Sequence, residues 1–335
     1  MSERPNLVVS ASPHLGGPVD TPTIMWNVVL SLAPAMAWAV WSWGPSALLV
    51  VGAAWLGAIA PEWYAQGRRS LRDGSAAITG ILLGMSLPPG FPCWMAFLGG
   101  AFGIVAGKLL FGGLGQNVFN PALLGRAFLQ AAFPVAITTW PRYGTSWLAL
   151  RGDNLAFPFL SPQAPDVVTS ATPLNLMKFE KTASPALEMF LGRQGGCVGE
   201  TSDLLLLAGA LWLAYRGFLN WRTPAAIFGT VAAFGAVLAA IDPAKFPGPA
   251  FLLFSGGLSL GALYMATDPV TSPITPRGAA VFGVGIGLLV VLIRVWGGLP
   301  EGVMYSILIM NALVPFINRA TQPRAFGARA PEAKP

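Results

Sequence analysis

The chain is 335 residues long, 54% hydrophobic and only 10% charged. A soluble domain carries roughly 25% charged residues, so this chain lacks the solvated charge to cover a globule of its size and is expected to be an integral membrane protein. Its net charge of +6 does not point to nucleic acid, because the basic residues sit at the ends of apolar runs, where they set topology.

In chain order, residues 1–22 form a polar tail without the charged-then-apolar order of a cleaved signal peptide. A spanning helix needs about 20 mostly apolar residues. Apolar runs occur at Ile24–Trp43, Pro45–Pro61, Ser75–Pro88, Trp94–Phe111 and Val118–Ile137. After a polar gap they resume at Ser202–Tyr215, Pro224–Ile241, Pro249–Tyr264, Ala279–Val295 and Val303–Ile317. The expected fold is an all-α polytopic membrane protein of about ten helices in a 5+5 arrangement. Its expected parts are a tail at 1–22, a first half at 23–139, a long outer loop at 140–200, a second half at 201–318 and a tail at 319–335.

Placing the N-terminus in the cytoplasm puts Arg4, Arg68, Arg69, Arg72, Lys108, Arg216, Arg222, Arg277 and Arg319 inside, with both tails cytoplasmic. Among short outer loops and helix ends only Lys245 and Arg294 break the pattern. The two halves echo each other weakly. Met85-Ser86-Leu87-Pro88 faces Met265-Ala266-Thr267-Asp268-Pro269, and Lys108 with Gly112-Gly113-Leu114 faces Arg294 with Gly297-Gly298-Leu299. Asn120-Pro121-Ala122-Leu123 faces Asn311-Ala312-Leu313. An odd number of spans per half gives the halves opposite topology, as in inverted-repeat transporters.

Three segments carry chemistry. Gly112-Gly113-Leu114-Gly115-Gln116-Asn117-Val118-Phe119-Asn120-Pro121 reads as a folded glycine stretch that ends in a capped helix start. Arg126 follows about one and a half turns into an apolar helix, where an ionisable group is a functional candidate by default. Thr267-Asp268-Pro269-Val270-Thr271 is either plain turn chemistry or a carboxylate in a broken helix that could couple to a cation, so Asp268 and Arg126 are the ion-coupling candidates. Asp166 to Leu174 is, on chemistry alone, a short hydroxyl-rich turn. No dinucleotide fingerprint, P-loop or nucleophile–base arrangement is evident. With one histidine (His14) and two distant cysteines (Cys93 and Cys197), an iron–sulfur cluster or structural zinc built by this chain alone is not expected. Both cysteines fall on the outer side, as free thiols or as a disulfide.

Taken together, Gly-Gly-Leu-Gly-Gln-Asn-Val-Phe-Asn-Pro-Ala at 112–122, Met-Ala-Thr-Asp-Pro-Val-Thr-Ser-Pro at 265–273 and Gly-Gly-Leu-Pro-Glu-Gly-Val at 297–303 resemble the RnfD/NqrB family of respiratory membrane subunits. The resemblance runs from the first apolar run to Arg319, and the length is closest to the D subunit of the Rnf complex. It implies FMN carried as a phosphoester on a threonine, here Thr172, in the stretch Asp166-x-x-Thr169-Ser170-Ala171-Thr172. Ser170 departs from the pattern, standing where the family usually has Gly. The resemblance also implies a second, non-covalent flavin, riboflavin, near Asn117 and Asn120. It implies other Rnf-type subunits and a flavin transferase as partners, no nucleic acid, and residence in a bacterial inner membrane. The function expected on that basis is a flavin-carrying subunit of a Na⁺- or H⁺-translocating complex that moves electrons between ferredoxin and NAD, with no catalytic constellation of its own. A solute channel or transporter, or a passive scaffold for other redox subunits, remains the alternative.

Overall fold

The computed structural model describes residues 19–68, 70–141, 147–158, 171–180, 185–192, 195–243 and 246–323. Ordinary helix chemistry opens the fold. The side chain of Asp20 accepts the Thr23 N–H (2.9 Å) and caps α1, Thr21–Trp43. Gly44, at φ +68°, turns the chain directly into α2, Pro45–Gln66. A side chain there would be strained and would strike the Trp147 carbonyl at 2.0 Å.

Next come α3 (Ser75–Met85) and α4 (Cys93–Ile104), which continues through a π turn at Val105–Leu109. These helices press on α2 through glycines, since small residues let apolar helices approach closely. A Cβ on Gly57 would lie 2.1 Å from the Phe97 carbonyl, one on Gly80 2.4 Å from Trp55 Cα, and one on Gly100 2.3 Å from the Ala54 carbonyl. The first half closes with α5 (Pro121–Ala132) and the single turn α6 (Pro134–Ile137).

The central loop carries α7 (Pro173–Asn175), which runs into a π turn at Leu176–Glu180, and then α8 (Ala186–Leu191). The second half holds α9 (Asp203–Tyr215), α10 (Arg222–Ile241), α11 (Pro249–Phe254), α12 (Leu258–Leu260) with its π continuation Gly261–Met265, α13 (Pro276–Trp296) and α14 (Val303–Thr321). The halves meet where α1 packs on α9 and α5 on α14.

The described chain is all-helical, and each of the ten apolar runs has become helix. Five helices, α1, α2, α10, α13 and α14, are long and apolar enough to cross a membrane. Large apolar side chains such as Leu30, Trp41, Leu48, Leu56, Leu211 and Val237 point outward, each more than half exposed. Water would not tolerate such a belt, and lipid requires one. The protein is therefore a multi-pass membrane protein. The structure corrects three of the ten runs. The third ends at Met85 rather than Pro88, the fifth is interrupted at Phe133, and the eighth breaks between Phe254 and Leu258. The breaks after Met85 and Phe254 leave helix-terminal backbone groups inside the protein, where polar side chains must satisfy them, whereas the one at Phe133 lies near the surface.

Candidate functional site

Those polar side chains surround two cavities. The first, of about 240 Å³, is walled by Thr172, Leu174, Ile137, Trp140, Phe179 and Tyr305 among others, and is floored by Arg126, Glu200 and Glu301. Thr172 is the N-cap of α7; its Oγ accepts the Asn175 N–H at 3.3 Å, and the residue is buried. The segment it begins is tied down at its far end by Lys178, whose Nζ donates to the carbonyls of Gly297 and of Leu299 (2.8 Å) in the loop between α13 and α14.

Arg126 is buried and fully engaged. Its Nη2 donates to Glu301 Oε2 at 2.6 Å, and its Nη1 donates to the Ser86 carbonyl and to Cys197 Sγ (3.6 Å). Glu301 offers its other oxygen to the backbone N–H of Gly257, the N-cap of α12, at 3.0 Å. Glu200, in the central loop, accepts the Cys197 N–H at 3.2 Å. Burial, and then the neighbouring Glu301 carboxylate, push the Glu200 carboxyl up to about 7. Ligand atoms of Cys197, Glu200 and Glu301 lie within 4.8 Å of one another. The Arg126 guanidinium already supplies the countercharge among them.

The second cavity, of about 90 Å³, is lined by Asn117, Asn120, Lys108, Asp268, Thr79 and Thr267 with apolar walls from α1, α3 and α9. Asn120 does three jobs. Its Oδ1 caps α5 by accepting the N–H groups of Ala122 (3.0 Å) and Leu123 (3.3 Å), and its Nδ2 donates to the Met265 carbonyl at the end of the broken helix (3.1 Å). With the Asn311 amide oriented so that both its atoms find partners, its oxygen accepts the Asn120 backbone N–H (3.2 Å) and its nitrogen donates to the Thr271 carbonyl (3.2 Å). Asp268 closes its own turn, accepting the Val270 N–H (3.2 Å) and the Thr271 hydroxyl (3.1 Å). Beside this cavity Lys108 donates to Glu62 Oε1 (2.8 Å) and Ser75 Oγ (2.5 Å).

The expected site residues thus fall into two groups. Asn117, Asn120 and Asp268 share one cavity, while Arg126 and Thr172 share the other. The two ion-coupling candidates, Asp268 and Arg126, do not meet. A small void lined by Leu123, Arg126, Met265 and Glu301 adjoins the first cavity, sharing Arg126, Glu200 and Glu301 with it. Asp166, Thr169 and Ser170 lie outside the described residues. Cys93 and Cys197 are both free thiols, and Cys197 is engaged by Arg126 instead. Arg294, which breaks the charge pattern, is buried and holds the carbonyls of Leu252 (2.6 Å) and Ser255 (2.8 Å) at the end of α11. Sequence reasoning gave no role to Glu62, Glu200 or Glu301. The available signal was position: Glu62 falls inside α2, and an ionisable residue in an apolar helix is a candidate in its own right.

Lipid-facing helices enclosing two cavities that are edged by buried amides and ion pairs define a polytopic membrane protein with internal polar sites. The chain belongs to the NQR2, RnfD, RnfE family, whose pattern matches residues 8–327. It is 43% identical to the D subunit of the ion-translocating oxidoreductase complex of Stutzerimonas stutzeri, with 92% of each chain covered. It is 41% identical to the D subunit of the proton-translocating ferredoxin:NAD(+) oxidoreductase complex of Clostridium ljungdahlii, and 40% identical to the Na(+)-translocating counterpart of Acetobacterium woodii, each over 96% of both chains.

Proposed function

We propose that this protein is the flavin-bearing D subunit of an Rnf-type complex that moves electrons between ferredoxin and NAD and couples that flow to Na⁺ or H⁺ movement across a bacterial inner membrane. In this reading both termini are cytoplasmic and the central loop faces outward, following the distribution of Lys and Arg. The observation that carries it is the seat of Thr172: a buried hydroxyl on the wall of a cavity whose floor carries a guanidinium and two carboxylates.

The residues present fit an FMN held at Thr172. Trp140, Phe179, Ile137 and Leu174 offer apolar area to a flat ring system, and Gln130, Thr138 and Tyr305 offer polar groups to its edge. Bound there, the flavin supplies one- and two-electron chemistry. The protein's part is to hold it and set its electrostatic surroundings, which needs no general acid or base. Thr172 tethers, the Lys178 clamp fixes the tethering segment, and Arg126 places positive charge beneath. The same reading assigns riboflavin to Asn117 and Asn120, whose donors suit a flavin edge, although the cavity there is less than half the size of the first. Asp268, on that cavity's wall, is the candidate for ion coupling. Replacing it with Asn should spare electron transfer and weaken ion transport; loss of electron transfer with transport still coupled would count against this role.

The deciding experiment is flavin fluorescence of the denatured chain in a gel, for wild type and Thr172→Ala, both co-expressed with a flavin transferase. A fluorescent band lost in the variant establishes the flavin at Thr172. A dark wild-type band, with modification confirmed on a positive control, returns the chain to the scaffold or transporter readings.

A further inference from the structure

Glu301 occupies an unusual crossing point. One carboxylate oxygen holds Arg126, from the first half, at 2.6 Å; the other holds the Gly257 N–H, where the broken helix of the second half begins, at 3.0 Å. Arg126 in turn holds the Ser86 carbonyl at the end of α3. Two residues before Glu301, the Leu299 carbonyl is gripped by Lys178 from the Thr172 segment. The loop Gly297–Glu301 therefore touches the tethering segment at one end and, at the other, the start of α12 directly and the end of α3 through Arg126.

Charge makes this position matter. Within the floor of the Thr172 cavity, Arg126 is the cation, and its field depends on how completely it is offset. In a buried site of low effective dielectric, moving or removing the offsetting carboxylate is felt strongly. Glu200 and Cys197 also face Arg126, but Glu200 is bonded to the Cys197 backbone and the thiol contact is the long one. Glu301 makes the short, charge-assisted contact.

We infer that Glu301 is a positioning residue that sets how much of the Arg126 charge reaches the Thr172 cavity, and that it ties this setting to the start of the broken helix at Gly257. This rests on the proposed reading only in taking the cavity as the flavin's place; the charge setting itself is a property of the chain.

The test keeps those two apart by placing a titratable probe at the tethering position without flavin. In the full chain carrying Cys93→Ala and Thr172→Cys, with no flavin transferase present, alkylation at position 172 is followed against pH by peptide mapping, which separates it from Cys197. Adding Glu301→Gln, which keeps an acceptor for Gly257 but removes the charge, should shift the profile to lower pH and speed alkylation several-fold at neutral pH. Adding Arg126→Gln should shift it the other way, and Arg126→Lys, which keeps the charge, should stay near the parent. Unchanged profiles in both Glu301→Gln and Arg126→Gln overturn the inference and leave Glu301 as a helix cap alone. In chain loaded with flavin at Thr172, the matching result is a more positive midpoint potential in Glu301→Gln. A dark wild-type band would defeat the flavin assignment while the thiol profiles still decide the role of Glu301.

Discussion

Among the described residues, two buried ion pairs stand beside the two cavities, Lys108–Glu62 and Arg126–Glu301, and they differ in what surrounds them. Lys108 and Glu62 are sealed, with side chains 3% and 0% exposed. Around them Ser75 and Ser70 add hydrogen bonds, and Asp73 stands 3.9 Å from the ammonium. Arg126 and Glu301 form an equally close contact, yet the Glu301 side chain is 21% exposed toward the Thr172 cavity. The first pair concentrates its contacts on Glu62 Oε1, leaves Oε2 buried without a partner, and is closed to solvent. The second is half open, bridges two halves of the molecule, and faces the place where charge is proposed to change. Equal distance therefore does not mean equal role: the sealed pair fixes the packing of α2 against the end of α4, and the open pair is placed to sense.

The largest effect expected from this contrast is at Lys108. Lys108→Met leaves the Glu62 carboxylate buried and unpaired, which costs about 3 to 5 kcal/mol, read as a lower midpoint of thermal unfolding in detergent. Changing both residues to apolar ones of similar size should recover most of that loss, because a buried pair and a packed apolar pair are often comparable. If the double variant is as unstable as the single one, Lys108 has a role beyond neutralising Glu62. Glu301→Gln should cost less, about 1 to 3 kcal/mol, since the amide can still accept from Gly257 and the cavity admits solvent. A loss at Glu301 as large as that at Lys108 would erase the distinction between the two pairs.

A third test uses pH. Glu200 sits in the central loop beside the open pair, and its folded-state pKa of about 7 lies above its ordinary value of 4.5. The fold therefore prefers the protonated carboxyl. The stability Glu200 contributes is full below about pH 4.5 and is lost as pH rises through about 7. Melting midpoints should fall across that window in wild type and fall less in Glu200→Gln. Parallel curves for the two proteins would mean that solvent or Arg126 compensates the buried carboxylate.

Much of this is readable in the amino-acid order alone. The ten apolar runs became helices, and Asn120 caps α5 as its place before Pro121 implies. Arg126 stands out as a charge inside an apolar helix. Thr172 is legible only through the family resemblance, since its surroundings read as an ordinary solvated turn. The pairings are not legible. Glu62 and Lys108 are 46 positions apart, and Arg126 and Glu301 are 175 apart. No local pattern in either segment names its partner. The broken eighth run is half legible: Ser255-Gly256-Gly257 is a breaker signal, with Gly256 at φ +64°, but the partners that hold the break, Arg294 on one side and Glu301 on the other, are not.

The smallest effect belongs to Lys178, and it bears on how the open pair is connected to the tethering segment. Lys178 is only partly buried and bonds two backbone carbonyls rather than a carboxylate. Its replacement by Gln should cost no more than about 1 kcal/mol in global stability, a change near the noise of a detergent melt. Its local effect should be clearer. Freed from the Gly297–Glu301 loop, the Thr172 segment opens more often, and protease sensitivity follows the population of open states. Phe179 is already 72% exposed at the next position, so chymotrypsin should cleave there several-fold faster in Lys178→Gln than in wild type. Cleavage elsewhere in the chain should be unchanged. An unaltered rate at Phe179 would mean that the segment is held by packing of Leu174 against Met189 and Phe251 and not by the clamp, and the link from Thr172 to Glu301 would then run through the cavity alone.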